Sequence, residues 1–333
     1  MSSIKSNNWS HVIAVDMPVD ERWTFARHLG DLLNRQFHLV WADGRAHVPR
    51  WRRIMIYVTI AIKLFFHRRH INLLVCWQQF FGLIFASICQ LFHVKKNTSL
   101  LVMAFIYRPK PGIIGRIYRW WIHRTLTSGY IDKVLVYSKH ETHYYAQLLD
   151  VEEQLFQFIP LGIDNVEIAY ITDEGFWFST GKSNRDYAFL INAFANNGHR
   201  LLIACDELKQ PSAENITVLH NCYDNKMLQV MSRAHGVIIA LNDDHISSGQ
   251  LVILQAMALG KPLIITHSQA IADYVQDGVN ALVIDKTSLA LTQAVERLNN
   301  DIELYNSISA SSKKQFFSRH SVKAMAEAIA NII

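Results

Sequence analysis

Two short segments carry the residue types that phosphate chemistry needs. The first is Thr180-Gly181-Lys182-Ser183-Asn184-Arg185-Asp186-Tyr187, which follows the apolar run Phe176 to Ser179. Gly181 permits a tight turn close to a ligand. Lys182 and Arg185 bring two cations, and Arg grips phosphate in bidentate fashion where Lys acts as a point charge. Such charge compensates a diphosphate leaving group as its bond to carbon breaks. A solvated basic loop is the structural alternative. The segment is not a P-loop, because no GxxxxGK[ST] pattern is present. The second segment is Asn242-Asp243-Asp244-His245-Ile246-Ser247-Ser248-Gly249-Gln250, which runs straight into Leu251 to Gly260. A helix start offers unpaired N–H groups and the positive end of a dipole. That assigns phosphate contacts to Ser248, Gly249, Gln250 and Leu251, with Gly249 allowing close backbone approach. A plain strand–turn–helix joint would read the same way.

The elements around these segments alternate. Gly236 to Leu241 is a short β-branched run that reads as a buried parallel strand. The helix after it ends at Gly260, a C′ residue, with Pro262 just beyond. Leu263 to Thr266 is the next buried strand. The first half repeats the rhythm: strands at His11–Val15, Gln36–Trp41, Ile71–Cys76, Leu100–Phe105, Lys133–Tyr137 and Leu155–Ile159, with helices between. The basic helix Pro49–Arg69 is the longest of these. Short connections between strands and helices mean parallel strands and right-handed crossovers. The Pro/Gly turn Pro160-Leu161-Gly162-Ile163-Asp164 reads as a hinge. The expectation is an α/β protein of two doubly wound domains, residues 1–164 and 165–333, with ligands in a cleft at the carboxyl ends of both sheets.

The chain has 333 residues, long enough for two domains, and half of them are hydrophobic. No run reaches the roughly 18–20 uncharged apolar residues of a membrane span, and the polar stretch Met1 to Ser10 leads to the expectation of no signal peptide. Cys76, Cys89, Cys205 and Cys222 form no CxxC pair, which fits free thiols in a reducing cytosol. The sixteen histidines include helical pairs, His67/His70 and His140/His143, but no third ligand at matching spacing, so no metal is expected. Ser138 lacks a GxSxG context, which argues against a hydrolase triad.

The motifs fall in the order seen in GT-B glycosyltransferases. Val134-Leu135-Val136-Tyr137-Ser138 comes first, then Ile159-Pro160-Leu161-Gly162-Ile163-Asp164. Gly181-Lys182 with Arg185-Asp186-Tyr187 follows, then Ser248-Gly249-Gln250 through Gln255-Ala256-Met257-Ala258-Leu259-Gly260-Lys261-Pro262. Over about residues 130–290 the chain resembles the retaining group called family 4, and Ile271 to Ile284 resembles that family's "eiv.dg.nG.lv" segment. The resemblance implies a nucleoside-diphosphate sugar donor held by the second domain, with Lys182 and Arg185 neutralising the diphosphate. It implies front-face attack with retention and no resident metal or cofactor. Members commonly carry two glutamates eight positions apart, where this chain has Ser247 and Gln255. Gln255 keeps an amide for a ribose hydroxyl. Ser247, Asp244 or His245, with Asp243 beside them, would face the sugar, or form a polar loop.

Acceptor-side candidates lie after the first strand, at Asp16, Asp20 and Arg22, although Asp20 also suits a helix cap. The family often has a Gly-Gly pair there and a histidine after its fourth strand. Neither is present, and Tyr107 and Arg108 are the nearest substitutes for the histidine. Net charge is +5, and the cations gather in the first 125 positions around apolar and Trp-containing stretches. Arg50, Arg52, Arg53, Arg68 and Arg69 bracket one such stretch, and Arg116, Arg119 and Arg124 another. This pattern suits an anionic membrane surface; core helices with snorkelling cations are the alternative. No helix-turn-helix, zinc-finger or RNA-recognition signature supports nucleic-acid binding. The expectation is a cytoplasmic enzyme peripheral on the inner membrane face, moving sugar to a glycan or lipid-linked acceptor in cell-surface polysaccharide synthesis. A non-catalytic relative that binds a nucleotide sugar, or serves as a partner subunit, is the other reading.

Overall fold

A computed structural model describes residues 9–20, 23–44, 48–168, 172–243 and 247–333. The chain divides into two compact units: residues 1–159 with 326–333, and residues 160–325. The break falls a few residues before the expected boundary at Asp164. The reason is local: the turn after Pro160 is stitched to the second unit. Ile163 N–H donates to His320 C=O and Val322 N–H to Ile163 C=O. Gly162 lies so close to Ser321 that a Cβ there would meet its carbonyl oxygen.

The first unit runs β1 (His11–Val15), α1 (Thr24–Leu33), β2 (His38–Trp41), α2 (Arg50–His67), β3 (Leu73–Cys76), α3 (Gln79–Leu91), β4 (Ser99–Val102), α4 (Gly112–Leu126), β5 (Lys133–Val136), α5 (Lys139–Leu149) and β6 (Phe156–Phe158). The sheet order is β2-β1-β3-β4-β5-β6, all parallel. Its strands are short runs such as Leu73-Leu74-Val75-Cys76, buried on both faces, as a parallel sheet between helix layers requires. Right-handed crossovers place α2, α3, α4 and α5 on one face and α1 on the other. β4 stops at Val102, short of the expected Phe105, because Ala104 adopts a left-handed φ of 51°. Beyond it, the Gln79 amide clamps Ile106 through both its N–H and its C=O.

The second unit runs β7 (Trp177–Thr180), α6 (Tyr187–Ala195), β8 (Leu201–Ala204), β9 (Ile216–Leu219), α7 (Asp224–Arg233), β10 (Gly236–Ile239), α8 (Gln250–Leu259), β11 (Leu263–Thr266), β12 (Leu282–Ile284), α9 (Ser288–Asn300) and α10 (Ile302–Arg319). The last helix, α11 (Val322–Ala330), begins in this unit and from Ala326 belongs to the first. Its parallel order is β12-β11-β10-β7-β8-β9. Both sheets are doubly wound. The first reverses direction between β1 and β3, the second between β7 and β10.

His320 closes the turn that begins the second unit. Its ring is buried, its Nδ1–H donates to Leu161 C=O at 3.2 Å, and it stacks on Tyr274 at 5.1 Å. Burial drives its pKa down to about 4. The folded state therefore holds neutral imidazole, while the unfolded chain takes up a proton below its ordinary value of 6.5. This stability is present above that value and is lost as pH falls towards about 4. The linkage amounts to about 3 kcal/mol. Urea melts at pH 7 and pH 4.5 should show the loss, and His320→Phe should flatten it. An unchanged pH slope in the variant would count against this assignment.

Candidate active site

In a doubly wound sheet, ligands gather where the strand order reverses, outside the carboxyl ends of the strands. In the second unit those ends belong to β7 and β10. The loops that leave them are the two segments singled out by sequence: Gly181 to Asp186, and the stretch leading to Gly249. The fold therefore brings the two candidate segments side by side. They are also fastened together. Asp186 N–H donates to Ala240 C=O at 3.0 Å. Asn184 takes a left-handed φ of 57°, a conformation that Asn tolerates. From there its amide donates to Asp243 C=O and accepts from Asp243 N–H, both at 2.7 Å. Asn242 Nδ2 donates to Arg185 C=O at 2.9 Å.

This latch fixes Arg185. Its Nε–H donates to Thr180 C=O at 3.0 Å and its Nη1–H to Ser183 C=O at 2.9 Å. The guanidinium lies over Gly181, where an added Cβ would collide with it, and about a van der Waals contact from the place a Cβ would take on Gly249. Burial lowers its pKa. Among the described residues it has no carboxylate partner. A desolvated guanidinium whose charge is unmatched, with Nη2 uncommitted, is an anion receptor held ready in one rotamer.

The helix entrance sits beside it. Gly249 caps α8 at φ 96°, a left-handed conformation that suits glycine. No side chain caps the helix, and the N–H groups of Gln250 and Leu251 donate to nothing among the described residues. Ser248 Oγ, Gln250 Nε2 and Gln255 Oε1 are buried without a hydrogen-bond partner. Three orphaned polar atoms around one helix start are costly unless a ligand meets them. Leu251 is half exposed on the first turn.

Lys182 is placed differently from the sequence expectation. It projects into solvent and pairs with Glu207 at 2.6 Å, which holds its pKa above the usual value. The two cations of one loop thus have separate environments. Glu207 carried no sequence signal, because it follows β8 rather than lying in either motif.

Residues 181–301, all within the second unit, match the family model for glycosyl transferases group 1. The chain is similar to the group 1 glycosyltransferases. No curated protein matches it in sequence. Solved structures share its fold along nearly the whole length. HepE from Anabaena, in complex with UDP, superposes with a TM-score of 0.67 at 13% identity, over 97% of this chain and 99% of that one. Sucrose-phosphate synthase from Thermosynechococcus elongatus gives 0.68 at 15%, over 97% and 98%. WaaG, a glycosyltransferase involved in lipopolysaccharide biosynthesis, gives 0.64 at 13%, over 97% and 99%. At these identities the likeness is one of fold, and the fold is GT-B.

Against the group 1 pattern, Ser247 and Gln255 stand at the two positions commonly held by glutamate. Ser247 Oγ donates to Ala270 C=O at 3.3 Å, while Gln255 keeps its buried Oε1 unpaired. Asp244 and His245, assigned to the sugar, lie outside the described residues, as does Arg22 on the acceptor side.

In the first unit, Asp16 ends β1 at the sheet's reversal point. Burial raises its carboxyl pKa, and the charge of Asp43 adds to that against Arg53. Gly44 N–H donates to Asp16 C=O at 2.8 Å, and Arg53, with its Nε buried and unpartnered, sits against Tyr57. Asp16, Asp43, Arg53 and Tyr57 therefore form one polar group, of which the sequence singled out Asp16 as an acceptor-side candidate and Arg53 only as a cation of the basic stretch. Asp20 does not cap α1. The cap is Trp23, without a side-chain bond, and Trp23 N–H donates to Asp20 C=O. Tyr107 is core, not ligand-facing: it is 2% exposed and its ring stacks on Tyr118 at 5.6 Å. The turn at Ala104 folds Phe105 to Tyr107 back over α3 and α4, while Arg108 stays exposed.

Among the described residues no cluster of three His, Cys, Asp or Glu is placed to hold a metal. His67 Nδ1 bonds Lys63 C=O and its ring stacks on Trp9, while His143 pairs with Glu153. The four cysteines are free.

Proposed function

We propose that the protein is a retaining glycosyltransferase whose second unit holds a nucleoside-diphosphate sugar. The observation that carries this is the Arg185 guanidinium, pinned over Gly181 beside Gly249 with no carboxylate among the described residues to match it. A diphosphate fits both of its needs: it neutralises the guanidinium and satisfies the N–H groups at the start of α8. As the sugar C1–O bond breaks, negative charge grows on the departing phosphate oxygen. Fixed donors there lower the barrier. The acceptor oxygen forms the new bond to C1 on the same face, and its proton passes to the departing phosphate. The nucleoside diphosphate is released. Gln255 is offered to the ribose, and Lys182 leaves Glu207 to join the diphosphate. HepE was solved with UDP, which makes a uridine diphosphate donor the first to test.

The acceptor falls to the first unit, with Asp16 at its sheet's reversal point. A glycan or lipid-linked acceptor at the cytoplasmic membrane face fits the surface of that unit. Between Asp43 and Asp132 the sequence has fourteen Lys and Arg and no Asp or Glu. On the outer face of α2, Trp51, Ile54, Met55, Val58, Ile62 and Phe66 are exposed; on α4, Ile113, Ile114, Ile117 and Trp120. Apolar stripes among cations, in a stretch of sequence that holds no acid, complement an anionic leaflet. None of the helices described is long and apolar enough to cross a membrane.

A second reading, donor binding without transfer, is favoured by the absence of both glutamates. One experiment addresses both. Thermal melts against UDP-, GDP- and ADP-sugars should show a rise of several degrees for one base, since ligand that binds only the native state adds stability. Release of the nucleoside diphosphate then marks turnover. A melting rise with no release would support the second reading. No rise with any of the three donors would remove the donor site.

A further inference from the structure

A second basic site lies at the opposite ends of the first unit's strands. The chain just before β3, β4 and β5, with the C-terminal ends of α2 and α3, surrounds a cavity of about 330 Å³. Arg68, Arg69, His93, Lys95 and Lys96 line it, and no acidic residue does. These are the amino ends of the strands, so the cavity is remote from the Asp16 group at their carboxyl ends.

Its charge is largely unspent. Among the described residues, Lys96 is the one of these with a carboxylate, Asp132 at 2.8 Å. Arg68 donates to Phe65 C=O at 2.8 Å and lies over the Phe65 ring, which fixes its direction without neutralising it. Arg69 and Lys95 are exposed and pair with no acid among the described residues. A volume near the lower end of the range for small-molecule pockets takes one phosphate ester with its immediate substituent. Solvated cations spread over a surface would repel one another and form no cavity. Here they converge on one.

The rim adds a second chemistry. Phe92 is part of the lining and is 64% exposed, while Leu91 before it and Phe66 at the end of α2 are each 72% exposed. Phe92 lies against Phe65 at 5.5 Å, so the apolar rim and Arg68 share one support. A free phosphate has no use for these side chains. An amphiphile with an anionic head does: the head meets the cations and the chain crosses the phenylalanines. Phe66 also ends the exposed stripe of α2, so the site continues the surface assigned to the leaflet.

We propose that this cavity binds the phosphate headgroup of an anionic phospholipid. The proposal rests on the membrane placement given above, but it requires a one-to-one site where a charged surface alone does not. The shared chemistry is a phosphate ester, and its soluble and lipid sources are separable. Dihexanoyl phosphatidylglycerol, kept below its micelle concentration, is titrated calorimetrically against the full chain beside sn-glycerol 3-phosphate and inorganic phosphate. Sedimentation with phosphatidylcholine vesicles doped with phosphatidylglycerol is measured in parallel.

The expected result is saturable one-to-one binding of the short-chain lipid, with both soluble phosphates weaker. Arg69→Glu with Lys95→Glu should weaken it about tenfold or more, by removing two charge-assisted contacts. Arg116→Glu with Arg124→Glu, on α4, should leave it unchanged. Phe92→Ala should weaken the lipid and not the soluble phosphates. All these positions are exposed, so folding is not at stake. Vesicle binding without saturable short-chain binding would overturn the cavity site and leave the surface reading standing. Equal affinity for inorganic phosphate and the lipid would overturn the lipid assignment. Equal loss in both double variants would reduce the cavity to diffuse charge.

Discussion

Arg185→Ala is expected to lower turnover about 10²- to 10³-fold, the scale of losing one fixed donor to developing charge. The effect should fall mainly on kcat, because charge on the leaving oxygen is greatest at the transition state. Arg185→Lys should recover little of it. The side chain is held by Nε on Thr180 C=O and Nη1 on Ser183 C=O, a fork that an ammonium cannot reproduce. Lys182→Ala is the informative comparison. Lys182 projects into solvent and is engaged with Glu207, so its loss should cost less than that of Arg185. Nucleoside-diphosphate release under saturating donor measures each variant, with circular dichroism melts to separate loss of the loop from loss of the charge. Wild-type kcat in a folded Arg185→Ala protein would remove the phosphate assignment.

Gly249→Val is expected to abolish the donor-induced rise in melting temperature. Two effects act at one atom. A φ of 96° excludes a β-branched residue, at a cost on the order of 1–3 kcal/mol. The new Cβ would also stand about 3.5 Å from both terminal nitrogens of Arg185, in the space a phosphate needs. Gly249→Ala keeps the intruding Cβ and carries less strain, since it lacks the branch. It should still weaken the donor by roughly 10²-fold, equivalent to about 3 kcal/mol. A melting rise in Gly249→Ala equal to that of the parent would show that the phosphate lies elsewhere.

The sequence by itself determined the strand–helix alternation and with it the two parallel sheets. Short β-branched runs buried on both faces, and helices closed by Gly260 and Pro262, are local signals that act over a few residues. It also singled out the two candidate loops, because Gly181 and Gly249 mark backbone conformations that few other residues adopt. Element ends were less legible. Ala104 gave no sign that it would turn left-handed, so β4 stops early and Tyr107 becomes core. Only the tertiary structure decided which cation faces the candidate phosphate site. Lys182 and Arg185 are three positions apart in one basic loop. Contacts from the distant Asn242 and Asp243 pin the second, while Glu207 after β8 draws the first into solvent. The structure likewise decided that the apolar stretches of α2 and α4, which the sequence left as either membrane-facing or core, are exposed, and it revealed the cavity at the end of α3. A helix pattern shows that an apolar face exists, but whether a neighbour covers it depends on strand order, and strand order is set by contacts between residues far apart in the chain.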